Sequence, residues 1–182
     1  MRIRLLIALS LLVHGTAIPA DTPPAVGKAT PAATTAPAKT LDWEDLLPED
    51  ARKNYIAGPP PAVHDYLLGE SGPAVRQELD FSVNKALEGR RIRLPGFVVP
   101  LEFDFAGKVT EFFLVPYFGA CIHVPPPAPN QMVYVRVQTP FKLDSLDTAF
   151  WVTGMLSIQQ RQARLGAAAY ALTETTLEQY KD

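Results

Sequence analysis

The sequence predicts a mainly-β domain, a five-stranded barrel of the oligonucleotide/oligosaccharide-binding (OB-like) type entered through short N-terminal helices. Three observations predict it. Five runs rich in Val, Phe, Tyr and Ile follow one another between residues 91 and 178, broken by short polar or Gly-containing stretches. Gly96 and Gly154 fall inside two of these runs, where a small barrel needs a bend or bulge to turn its corner. Five strands are also too few for a two-sheet sandwich, which needs about seven. An open sheet with helices on one face is the remaining alternative.

Taken in order, residues 1–20 have the three parts of a secretory signal. Arg2 and Arg4 are basic, Leu5 to Val13 are apolar, and small residues at Ala17 and Ala20 offer cleavage sites. The apolar run is about half of the ~20 residues that a spanning helix needs. The mature protein is therefore expected to be soluble, exported and periplasmic. Residues 21–40, a Pro/Ala/Thr tract, cannot bury enough apolar surface to offset the entropy of ordering and read as a leader. A single domain is expected over residues 41–182.

Trp43, Leu46 and Leu47 are at helical spacing with Pro48 as a break, so "LDWEDLLPEDARKNY" predicts a short helix or two. Residues 58–73 are Gly- and Pro-punctuated and predict a loop that carries His64. The five strands are then predicted at 91–103, 109–118, 132–138, 150–158 and 168–178, antiparallel, with Ala106-Gly107-Lys108 as a hairpin turn. The third alternates Val133, Val135 and Val137 with Tyr134, Arg136 and Gln138.

Charge narrows the partners. Without Arg2 and Arg4, 15 basic residues face 19 acidic ones, about −4 for the mature chain. Nucleic acid and anionic membranes both need a basic surface, so neither is expected as a partner. No Gly-rich phosphate loop, nucleophile elbow or C-x-x-C pair is present, and no enzyme activity is expected.

The single cysteine, Cys121, lies in "GACIHVPPPAPNQ" two positions before His123. In an oxidising compartment it has no partner in its own chain. A packed thiol, a metal ligand, a reactive thiol and an intermolecular disulfide are all open to it. On an extended segment, side chains at i and i+2 share a side, so a sulfur and an imidazole would face one point. Those donors suit a transition metal, most plausibly Zn²⁺, which takes four ligands, or three and water. Glu102, Asp104 and His64 are the candidates to complete the set. The proline run either offers a stiff ledge to a partner or closes off a strand edge. As a partner surface it would comprise Tyr117, Phe118, Pro125, Pro126 and Pro127.

Three stretches carry a family resemblance: "ALEGRRIRLPGFVVPLEFD", "KVTEFFLVPYFGACIHVPPPAPNQMVYVRV" and "FWVTGMLSI". They resemble a bacterial family of exported proteins catalogued as domain of unknown function 3299. The resemblance covers roughly residues 80–180, and "FGACIHVPPPAPNQ" is its most distinctive part. It implies an OB-type fold and metal handling in the envelope, beside a transport system linked to zinc supply. A non-catalytic module that docks on a transport or envelope complex is the alternative.

Overall fold

The computed structural model describes residues 37–58, 77–121 and 125–181. The signal segment, the leader up to residue 36, His64 and His123 lie outside the described residues. Six strands are present: β1 Lys39–Thr40, β2 Arg91–Phe103, β3 Val109–Val115, β4 Val133–Phe141, β5 Ala149–Ala163 and β6 Gly166–Gln179. The predicted helical stretch forms one 3-10 turn, Trp43–Leu46, and a single α-turn, α1, Glu49–Arg52. Pro48 separates the two, and Arg52 ties them together by donating to the carbonyls of Leu47 and Asp45 at 3.0 and 3.1 Å.

The sheet runs β1-β2-β3-β4-β6-β5 and closes through a β2–β5 pairing. Strands β2 to β6 thus form a closed five-stranded barrel. The expectation of wholly antiparallel strands needs correction, because β4 and β6 are parallel, with Val133 opposite Tyr170 and Val135 opposite Leu172. The reason is geometric: an odd number of strands cannot alternate direction around a closed ring, so one neighbouring pair must run parallel. β2 is long enough to serve two neighbours. Its first half pairs with β5 and its second with β3, and Phe97 is opposite both Ala149 and Val115.

The two strand glycines are where the barrel bends. A Cβ on Gly96 would be 2.7 Å from the Val115 carbonyl oxygen, and one on Gly154 2.7 Å from that of Thr173. Gly154 also falls within a register shift between β5 and β6. Three strand ends differ from expectation by three residues or more, one of them β4, which runs on to Phe141 rather than Gln138. β3 stops at Val115 rather than Phe118, since Pro116 has no N–H for the ladder. β5 runs on to Ala163 because Gln159 to Gln162 extend beyond the barrel wall in the β5–β6 hairpin, where both faces are exposed and no apolar side chain is needed. The leader, expected to reach residue 40, gives up Lys39 and Thr40 to β1, which pairs in parallel with Ile92 and Arg93.

Two apolar clusters lie on opposite sides of the wall. All five barrel strands contribute to the inner one, with Ile92, Leu94, Phe112, Val135, Val152 and Leu172 among its members. Leu41, Trp43 and Leu46 plug it from the N-terminal side. The Trp43 indole N–H donates to the Pro95 carbonyl at 2.8 Å, and the Tyr170 hydroxyl donates to the Leu46 carbonyl while accepting from the Asn84 N–H. The outer cluster takes the opposite parity on β2 and β3: Val99, Phe113 and Val115, with Phe97 and Leu101 beside them. No helix among the described residues is long and apolar enough to cross a membrane.

Candidate functional site

The outer cluster would face water if β3 were a half-exposed strand. It is instead covered by the described parts of the chain that leaves β3, residues 116–121 and 125–132, which hold the cysteine and most of the proline run. Gly119 (φ 82°) and Cys121 (φ 65°) both adopt left-handed backbone and bend the chain. Tyr117, Ala120 and Met132 are buried in the outer cluster, and Cys121 packs against it half-buried. The Tyr117 hydroxyl reaches toward the Pro125 carbonyl at 3.4 Å. Phe118 goes the other way: it is 51% exposed, its ring 6.1 Å from that of Phe97. Beside these rings, Leu146 from the β4–β5 connection is part of a shallow dent of about 30 Å³.

The prolines are fixed from a distance. Gln77 donates from its amide nitrogen to the Pro127 carbonyl at 2.7 Å and to the Ala167 carbonyl at 2.8 Å, while its oxygen accepts the Ala167 N–H at 2.8 Å. A side chain thus pairs with β6 as a strand backbone would. After the prolines, a 3-10 turn, Pro129–Gln131, is buried. The Asn130 N–H bonds to the Asp80 carbonyl at 3.1 Å, and the Gln131 amide donates to the Trp43 carbonyl at 3.0 Å. The segment is a lid, hydrogen-bonded to the rest of the fold at its C-terminal end and held at its start by the burial of Tyr117 and Ala120.

These contacts decide what Cys121 can do. Its left-handed backbone is not the extended segment on which positions 121 and 123 would share a side. An L-residue there costs roughly 1–2 kcal/mol, which the packing around the lid must offset. Burial pushes the thiol pKa up from 9.0 to about 11, so at neutral pH the sulfur is protonated. Tyr117 is pushed up to about 12, chiefly by burial, with the nearby Cys121 adding to it. Neither is poised for proton transfer at neutral pH.

The other predicted ligands are placed as follows. Asp104 is committed to the β2–β3 hairpin, where one carboxylate oxygen accepts the N–H groups of Ala106 and Lys108, both at 2.9 Å. Glu102 is exposed, opposite Glu111 in the ladder. His64 and His123 are outside the described residues. Among the described residues, no three Cys, His, Asp or Glu side chains come together as a metal site would require. Of the predicted partner surface, Phe118 is exposed and Pro125 and Pro126 are half-buried, whereas Tyr117 and Pro127 are buried.

Sequence reasoning did not find the outer cluster or the Gln77 latch. The first had a signal. "FFLV" in β3 and "AAAYAL" in β6 are unbroken apolar runs, which mean burial on both faces of a strand. The second had none, because Gln77 and Ala167 are 90 residues apart.

The family model described as protein of unknown function (DUF3299) matches residues 43–179, from the barrel plug to the last residue of β6. The chain belongs to the DUF3299 family. A crystal structure of a DUF3299 family protein from Pseudomonas aeruginosa PAO1, at 2.45 Å resolution, is 42% identical with a TM-score of 0.70. The match covers 80% of this chain and 98% of that one. No functionally curated protein matches this DUF3299 chain.

Proposed function

We propose that this chain is an exported, non-catalytic interaction module that docks on an envelope or transport complex in the periplasm through the outer side of its lid. The observation that carries the reading is the Phe118–Phe97–Leu146 patch. Three large apolar side chains meet there: the half-exposed Phe118 on the lid, Phe97 on β2 and Leu146 on the β4–β5 connection. A preorganised aromatic anchor loses little entropy on binding and is the kind of residue that dominates interfaces. Pro125 and Pro126 extend the same lid.

Zn²⁺ held by Cys121 and His123 is the rival reading. It would have to draw the proton from a thiol that burial has pushed up to about 11. It would also need ligands that the described residues do not gather around Cys121.

The test places a photo-crosslinking amino acid at position 118, 126 or 56 in cells that export the protein. Ile56 is exposed and outside the lid segment, so it serves as the control. The reading predicts one common adduct from positions 118 and 126 but not from 56, lost in Leu146→Asp and retained in Cys121→Ser. An adduct that depends on Cys121 and on added Zn²⁺ would favour the metal reading instead.

A further inference from the structure

A second feature is independent of the lid. Between β1 and the 3-10 turn Lys85–Leu87 lies an open groove of about 550 Å³, within the roughly 300–1,000 Å³ of ligand-binding clefts. Met155 is its partly exposed apolar residue, over a floor where the core residues Leu87 and Ile92 lie, and Lys39, Arg90 and Arg91 supply its charge. Among the described residues, none of these three cations is in an ion pair. The adjacent acid, Glu88, is turned to the Ile158 N–H at 2.6 Å. Arg93, further along β2, is occupied by Glu178 at 2.9 Å and by the Trp151 ring at 4.3 Å. A chain of net negative charge thus concentrates three unopposed cations over an apolar cleft.

The surface also carries the complement. The tip of the β2–β3 hairpin presents Phe103, more than half exposed, and Phe105, fully exposed. Glu102 and Asp104 flank them, with Lys108 as the one cation of the tip. The tip is rigid: the Asp104 carboxylate holds two N–H groups, and the Asp104 N–H donates to the Lys108 carbonyl at 2.8 Å. Groove and tip lie at the first and last residues of β2, Arg91 and Phe103. That strand is paired along its length, so a tip cannot reach the groove of its own molecule.

We propose that the Phe103/Phe105 hairpin tip of one copy docks in the Lys39/Arg90/Arg91 groove of a second copy, giving head-to-tail self-association. The rings fill the apolar cleft, guanidinium groups cover their faces, and Glu102 and Asp104 meet the cationic rim. The two surfaces differ, so the contact is heterologous and propagates into rings or short filaments unless it is capped. The interface is small, so the association is weak and weakens further with salt.

Sedimentation velocity on the mature protein at low salt tests this. Concentration-dependent oligomers are expected, and Phe103→Ser/Phe105→Ser should weaken them by about tenfold or more, as should Arg90→Glu/Arg91→Glu. Each double variant keeps one half of the contact. Mixing them should therefore give a 1:1 heterodimer that neither forms alone, which also shows that both fold. A mature chain that stays monomeric would overturn the proposal, and would mean that the groove takes something else. So would variants that still associate, or a mixture that forms no heterodimer.

Discussion

Cys121 draws the eye in the sequence, and burial keeps its thiol protonated at neutral pH. The thiol is half-buried against the outer cluster, with Tyr117 nearby, on left-handed backbone. Alkylation by iodoacetamide should be slow at pH 7 to 8 and rise only toward pH 11, whereas the unfolded chain should react along a curve centred near 9. The same shift has a stability sign. The folded pKa lies above the unfolded one, so the contribution is fully present below pH 9 and is lost as pH rises from 9 to about 11. Denaturant midpoints across that window should fall for the wild type and fall less for Cys121→Ala. Gly154 makes a different residue-scale point. An added methyl would meet the Thr173 carbonyl oxygen at 2.7 Å and the Thr175 methyl at 2.9 Å. Backbone cannot yield there, so Gly154→Ala should destabilise by about 1–3 kcal/mol in chemical denaturation.

Among the elements, the lid is the part that sequence alone could least describe. The proline run announces a stiff segment, and the readings of ledge and edge-stop each contain part of the answer. What the run does not reveal is its support. Gln77 makes contacts with Pro127 and Ala167 at sequence separations of 50 and 90, and no local pattern encodes such a pairing. Gln77→Ala would leave the Ala167 N–H without its partner, at a cost of about 1–3 kcal/mol. Hydrogen exchange should then speed up selectively at Ala167 and across residues 130–132, while the β2–β3 ladder stays protected. The strands were far more legible. β2 falls where its apolar run places it, and the face that the alternation of β4 gives to Val133 and Val135 is the interior one. The expectation of Cys121 and His123 side by side rested on an extended backbone; Cys121 itself is left-handed, and His123 lies outside the described residues. A φ of 65° at a non-glycine residue comes from tertiary packing and leaves no mark in the sequence.

For the whole molecule, barrel closure follows from strand count and the two glycine corners, both readable in advance. The parallel β4–β6 pair follows from closing an odd number of strands. The plug was readable as a helical stretch but not as a plug, because its partners, Pro95, Asn84 and Tyr170, lie far along the chain. Trp43→Ala should therefore destabilise the entire barrel, by about 3–5 kcal/mol, in one transition shared by near- and far-UV circular dichroism. The cysteine-containing segment covers a second core, and we propose that it serves as a docking surface rather than as a metal centre. Calorimetric titration of metal-free mature protein with Zn²⁺, beside Cys121→Ser, tests it most directly. The same weak binding isotherm is expected for both. Tight 1:1 binding by the wild type, with proton release and loss of that binding in Cys121→Ser, would contradict it.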